Sequence, residues 1–163
     1  MSRTLILMRH AAAEGFSAAG DKGRSLGPEG REEARAVGRD LSGLGVQHVL
    51  CSSATRTRQT VDELGLDAPV EYMDALYNCS SETIAQRITE IDAQVQVLLV
   101  VAHAPGIPGL AAELAYAQDH KAADDLQCWY PTGAFVRFEL DGPWAGLLED
   151  DSLRMIGVER PEA

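Results

Sequence analysis

Arg9 and His10 stand side by side where a short apolar run ends, in RTLILMRHAAAEG at positions 3 to 15. A second histidine, His103, ends a similar run in VLLVVAHAPGI, and between the two SSATRTRQT carries Arg56 and Arg58. Neutral imidazole is a nucleophile near physiological pH. It forms a phosphorus–nitrogen bond when cations spread the charge on the other phosphoryl oxygens. Arginine offers a rigid fork of donors that matches phosphate oxygens bidentately, which lysine cannot do. His10 and His103 with Arg9 and Arg56 would make a phosphoryl-transfer site that calls for no metal and no other cofactor. The flanking guanidinium groups would also disfavour a positive charge on His10.

The segment around Arg56 adds a second argument. Ser52 and Ser53 look like a helix cap, which puts Arg56 and Arg58 near a first turn, where the helix dipole disfavours cations. No Asp or Glu lies between Asp40 and Asp62, so a bound anion is the expected balance. A lone histidine after a strand is usually structural, and His48 and His120 are read that way. His10 and His103 differ because each ends an apolar strand on the same expected edge.

Elements must bring these residues together. Thr4 to Met8, Val46 to Leu50 and Val95 to Val101 are unbroken apolar runs, suited to strands covered on both faces of a parallel sheet. Helical spacing falls between them: from Pro28 to Leu44, after Ser52 and Ser53, from Ser80 or Ser81 with Ile84, Ile88 and Ile91 inward, and from Pro108 to Ala117. Phe135 to Leu140 and Trp144 to Leu148 read as two strands joined by the turn Asp141, Gly142, Pro143. The expectation is an α/β fold, a three-layer α/β/α domain over residues 1–158 with a mostly parallel central sheet and a loose tail at 159–163. Ligands of such sheets bind beyond the carboxyl ends of the strands. Arg9 with His10, Ser52 to Arg58, and His103 all fall there.

Composition sets the limits. A chain of 163 residues, 45% apolar and 24% charged, suits one globular domain with its own core. No apolar stretch reaches the roughly 18 residues that span a bilayer, and LILM is too short for a signal-peptide core. Three cysteines, Cys51, Cys79 and Cys128, with no CxxC pair, fit a reducing cytoplasm. The net charge of −11 speaks against nonspecific nucleic-acid or membrane binding. Residues 1–58 hold nine basic and six acidic side chains, and the remainder five basic and nineteen acidic. An anion should therefore bind to the first third of the chain.

Four ordered segments resemble the histidine phosphatase superfamily, which has the phosphoglycerate-mutase-like fold, and within it the small SixA-type phosphohistidine phosphatases. LILMRHA is similar to the family's strand followed by Arg-His-Gly, with Ala11 in the Gly position. DKGRSLGPEGREEA resembles a stretch of the subfamily that ends in a Gly-opened helix. CSSATRTRQT resembles Ser-x-x-x-Arg-x-x-Gln-Thr starting at Ser52, and VLLVVAHAPGI resembles the strand that delivers the second histidine. The resemblance covers about residues 3–140. It implies that His10 attacks phosphorus, that Arg9, Arg56 and His103 hold the phosphoryl oxygens, that water then releases phosphate, and that Arg24 is an additional contact.

One departure bears on the substrate. Many members carry a Glu in a Leu-x-Glu segment that protonates the leaving group, and MDALYNCSSE puts Ala75 there, with Asp74 and Glu82 as neighbours that could substitute. A weak acid suits a phosphoramidate nitrogen better than a sugar alkoxide. Short connections imply an open site, able to admit a phosphorylated side chain of a protein. Phosphohistidine on a protein is the favoured substrate, with small phosphomonoesters, or an inactive phosphate-binding or phosphoprotein-binding module, as alternatives. A cysteine phosphatase fails on spacing, because four residues separate Cys51 from Arg56 and six separate it from Arg58 where five are needed. A metallohydrolase lacks clustered ligands, since Asp124-Asp125 and Asp150-Asp151 read as solvated connections.

Overall fold

The computed structural model describes residues 2–149 and 153–159. In chain order these form β1 (Ser2–Arg9), α1 (Pro28–Leu41), β2 (His48–Ser52), α2 (Thr55–Leu64), β3 (Val70–Met73), α3 (Ser81–Thr89), β4 (Val97–Ala102), α4 (Gly106–Tyr116), α5 (His120–Cys128), β5 (Phe135–Asp141) and β6 (Leu153–Glu159). The strands make one sheet in the order β3-β2-β4-β1-β5-β6. The first four in that order are mutually parallel, and β5 runs antiparallel to both β1 and β6.

The unbroken apolar runs are explained by their place in the middle of the sheet. Leu5 to Met8 and Leu98 to Ala102 are fully buried, because both faces of β1 and β4 are covered. On one face Val37, Leu41, Val61 and Leu64 of α1 and α2 pack against Ile6, Met8, Val49, Leu99 and Val101. On the other, Ile84, Ile88, Leu110, Leu114 and Leu126 of α3, α4 and α5 pack against Leu5, Leu7, Leu50, Leu98 and Val100. The result is the expected three-layer α/β/α arrangement. A nine-residue helix such as α3 is marginal alone. Burying Ile84 and Ile88 stabilises its docking by roughly 1.5–3 kcal/mol per side chain, and Ser80 caps it by accepting the Thr83 N–H at 3.3 Å.

Strand register positions the chemistry. Arg9 of β1 pairs with Ala102 of β4, and Cys51 of β2 pairs with Val101. The residues that follow, His10 and His103, thus leave adjacent strands, which run about 4.8 Å apart in a sheet, and Ser52 emerges beside them.

Several sequence expectations need correction. Trp144 to Leu148 is not a strand: Trp144–Gly146 is a 3-10 turn, and the partner of β5 is Leu153–Glu159. The reason is anchoring, because the buried indole of Trp144 donates to the Val95 carbonyl at 2.7 Å and Leu147 is buried beside it. Glu159, placed in the tail, is the last residue of β6 and pairs with Phe135; positions 160–163 lie outside the described residues. Helix α1 stops at Leu41 rather than Leu44, where Ser42 Oγ donates to the Arg39 carbonyl. Asp124 and Asp125 lie on α5, capped by Asp119, rather than in a connection; Asp150 and Asp151 lie outside the described residues. Edge strand β3, mostly exposed, also went unread.

Candidate active site

His10 is the first residue after β1, and its backbone fixes it on three sides. Its N–H donates to the Ala102 carbonyl at 3.0 Å, its carbonyl accepts the Gly133 N–H at 2.9 Å, and the next N–H, of Ala11, reaches Thr60 Oγ1 on α2 at 3.1 Å. Gly133 has φ +79°, a left-handed conformation that favours glycine, and a Cβ there would also press on the Glu33 carboxylate. Ala11, standing where the family carries Gly, is fully buried against Leu26 and Ala34. Its methyl group is therefore accommodated by packing.

The imidazole is oriented as a nucleophile. Nδ1 lies 2.7 Å from the Ala11 carbonyl. A carbonyl only accepts, so Nδ1 carries the proton and the lone pair sits on Nε2. The ring is 6% exposed. Burial, and then the charges of Arg56, Arg9 and Arg24, push its pKa down to about 4, against a bond to the Ala11 carbonyl that acts the other way. His103 stands beside it, with ring centroids 5.3 Å apart. Burial, with Arg56 next, pushes His103 down to about 3. Its Nε2 lies 2.7 Å from Ser52 Oγ.

Arg9, at the end of β1, donates from Nη1 to the Tyr130 carbonyl at 3.0 Å, and Tyr130 is itself tied to β1 through its hydroxyl and the Leu7 carbonyl. Arg56, in the first turn of α2, is 4% exposed. Arg9 Nε, Arg56 Nε and His103 Nδ1 are buried without a hydrogen-bond partner among the described residues. Buried donors are rarely left unpaired; Arg3 Nε, His48 Nε2 and Arg87 Nε are in the same condition elsewhere, so three of these six belong to residues singled out in the sequence. The structure thus brings Arg9, His10, Arg56 and His103 together: the two rings are 5.3 Å apart, and the Arg56 and Arg9 charges act on a neutral His10 whose lone pair is on Nε2.

The expected missing counter-charge has a local answer. Asp21, thirty-five residues before Arg56, accepts from Arg56 Nη1 at its carbonyl (2.9 Å) and from Arg56 Nη2 at its carboxylate (3.3 Å). Arg24 Nε donates to the same carboxylate at 3.0 Å, and Tyr77 Oη donates to it at 2.5 Å. Tyr77 closes the group, its ring 5.6 Å from that of His103 and 5.9 Å from the Arg56 guanidinium. Arg24 therefore reaches the site, through Asp21. Sequence reading missed Asp21 and Tyr77 because the contacts join separate loops, although Asp21 opens the very stretch that contains Arg24.

The two serines do not cap α2, whose N-cap is Ala54. Ser52 is spent on His103, and Ser53 Oγ donates to Asp74 at 2.5 Å. Arg58 stays outside the site, over the Tyr72 ring at 4.3 Å. Of the two carboxylates considered as proton donors, Asp74 is fully ionised at neutral pH, held below the usual range by Ser53 and Lys22. Glu82 is exposed in the first turn of α3, and no described contact joins it to the four central residues. Cys51 is fully buried and its thiol is pushed up to about 12 by burial, which removes it as a nucleophile. His48 faces Glu71 and His120 stacks on Tyr116, both away from the central cluster. Among the described residues no group of three His, Cys, Asp or Glu converges as a metal ligand set. No described helix is long and apolar enough to cross a membrane.

The two depressed histidines have a consequence for pH. Both folded values lie below the ordinary 6.5, so the unfolded chain takes up protons first as pH falls. Stability is at its full value above about pH 6.5 and is lost as pH falls from there through about 4 for His10 and about 3 for His103, on the order of 1–2 kcal/mol for each ring at pH 5. Urea unfolding at pH 7.5 and pH 5 should show the drop, and equal stability at both would contradict it. On the same grounds kcat/KM, corrected for ionisation of the substrate, should stay flat down to about pH 5.

Comparisons with known proteins agree with this geometry. The model of the histidine phosphatase superfamily (branch 1) matches residues 5–106. An uncharacterized protein of Mycobacterium tuberculosis is 34% identical over 158 residues, covering 94% of this chain and 99% of that one. A solved chain from Nakamurella multipartitia, described as a candidate phosphohistidine phosphatase SixA, superposes with a TM-score of 0.89 at 36% identity, over 100% of this chain and 98% of its own. The protein histidine phosphatase SixA complexed with tungstate shares the fold at 23% identity, TM-score 0.77, with 95% of each chain covered. So does a phosphoglycerate mutase from Plasmodium falciparum at 15% identity, TM-score 0.65, over 96% of this chain and 90% of its own. With its strand-end histidines, its arginines and nearly its whole length matched, this chain belongs to the histidine phosphatase superfamily, branch 1, and within it to the SixA type.

Proposed function

We propose that the protein removes phosphate from phosphohistidine on a protein, without a metal, through a covalent intermediate on His10. The observation that carries this reading is the neutral His10 imidazole, its Nδ1 proton held by the Ala11 carbonyl, buried beside His103 and within the reach of the Arg56 and Arg9 charges. His10 Nε2 gives its lone pair to phosphorus as the bond from phosphorus to the substrate nitrogen breaks. Arg9, Arg56 and His103 hold the oxygens as charge spreads over them. Water then attacks the phosphorus bound to His10, the electron pair returns to Nε2, and phosphate leaves with the proton of water passing to phosphate or solvent.

The leaving group decides between substrates. An alkoxide needs a proton from an acid, and Asp74 is ionised while Glu82 stands apart. A phosphorylated imidazole protonated on its other nitrogen departs as a neutral ring and needs no such donor. The SixA name borne by the 36% identical neighbour supports the same choice.

The test is a comparison of kcat/KM for a phosphohistidine peptide against a panel of phosphomonoesters, with and without EDTA. We expect the peptide to lead and EDTA to change neither rate. Preference for a monoester, or loss of activity in EDTA, would overturn the reading.

A further inference from the structure

The carboxylate of Asp21 is an unexpected neighbour for a phosphate site, since it repels the dianion that the arginines attract. Its position explains how it could still serve. His10 and His103 lie at the floor, 6% and 5% exposed, whereas the Asp21 side chain is 51% exposed, on the solvent side of Arg56. In-line attack from His10 sends the leaving group away from the His10 ring, and one that departs toward solvent on the Arg56 side would meet the Asp21 carboxylate that Arg56 holds.

We propose that Asp21 is a specificity-determining residue that accepts a hydrogen bond from the protonated, non-phosphorylated nitrogen of the substrate imidazole, so that the site selects phosphoimidazolium over uncharged leaving groups. This rests on the proposed function above. Three features support it. Arg24 and Tyr77 fix the carboxylate independently of Arg56, so it keeps its place when phosphoryl oxygens take over that guanidinium. The Tyr77 hydroxyl bond, with Arg56 and Arg24, holds Asp21 down to about 2, ionised at any working pH and fit to accept but not to donate. The Tyr77 ring is a surface on which cations rest, with Lys22 Nζ 5.4 Å and the Arg56 guanidinium 5.9 Å from its centroid, and it lies beside His103.

The chemistry balances without a proton donor. The bond from phosphorus to the substrate nitrogen breaks and its electron pair stays on that nitrogen. The proton on the far nitrogen remains there, hydrogen-bonded to Asp21, and histidine leaves neutral. A phosphomonoester gains nothing from the same carboxylate and meets its charge as repulsion.

The experiment is Asp21→Asn, measured on a phosphohistidine peptide and on p-nitrophenyl phosphate, with Asp21→Glu as the charge-keeping control. A part-exposed ionic contact changes rates by a small factor. We expect kcat/KM on phosphohistidine to fall about fivefold and on p-nitrophenyl phosphate to rise about twofold, with Asp21→Glu restoring the preference in part. An equal fall on both substrates would mean a structural role. An equal rise would mean that Asp21 only occupies the anion site. Either result overturns the inference while leaving the proposed function intact. A wild-type enzyme inert toward phosphohistidine would overturn the proposed function itself, and this inference with it.

Discussion

In His10→Asn, turnover falls by about four orders of magnitude or more, the loss seen when a nucleophile is removed from a covalent mechanism. Wild-type enzyme quenched in acid-free denaturant during turnover carries alkali-stable, acid-labile phosphate, and the variant carries none. Fold is retained, because the asparagine amide can donate to the Ala11 carbonyl as Nδ1 does and the backbone bonds of residue 10 to Ala102 and Gly133 are unaffected. The variant also loses one of the two rings kept neutral by burial. Its stability relative to wild type should therefore rise as pH falls from 7 toward 5. Persistent turnover with labelled phosphate elsewhere would refute His10 as the nucleophile. A pure phosphate binder would give no labelled wild-type enzyme at all.

The middle of the sheet was legible in the sequence and its edges were not. Leu5 to Met8 and Leu98 to Ala102 are covered on both faces, so their apolar runs are unbroken and announce strands, and the residues that follow them inherit a known place. Edge strand β3 buries little and leaves no pattern. Helix α5 buries only Ala123 and Leu126, too few to show a period. Trp144 and Leu147 misled because both are buried, and burial in a 3-10 turn looks like burial in a strand when only residue type is read. The four central residues could be singled out in the sequence because each is local to a strand end or a first helical turn. Asp21 and Tyr77 were missed because their partners are tens of residues away. The absence of a carboxylate near Arg56 along the chain was sound arithmetic, but a loop carries Asp21 across that distance.

Arg56→Ala carries the second large effect. Its guanidinium has a buried Nε without a protein partner and bonds through both terminal nitrogens to Asp21. Removing an oriented charge that acts on the transition state costs about 10²–10³ in rate. Arg56→Lys should recover only part, because an ammonium cannot make the fork. The pH dependence separates loss of charge from loss of shape. Of the charges that depress His10 and His103, Arg56 acts most strongly on both. Without it both rings titrate closer to 6.5, and the acid limb of kcat/KM moves upward from the region below pH 5. In Arg56→Lys the charge remains and the limb should stay low. If Arg56→Ala instead keeps the wild-type limb and loses less than about tenfold in rate, the guanidinium is no part of the phosphoryl cradle and the convergence of two imidazoles with two arginines is structural.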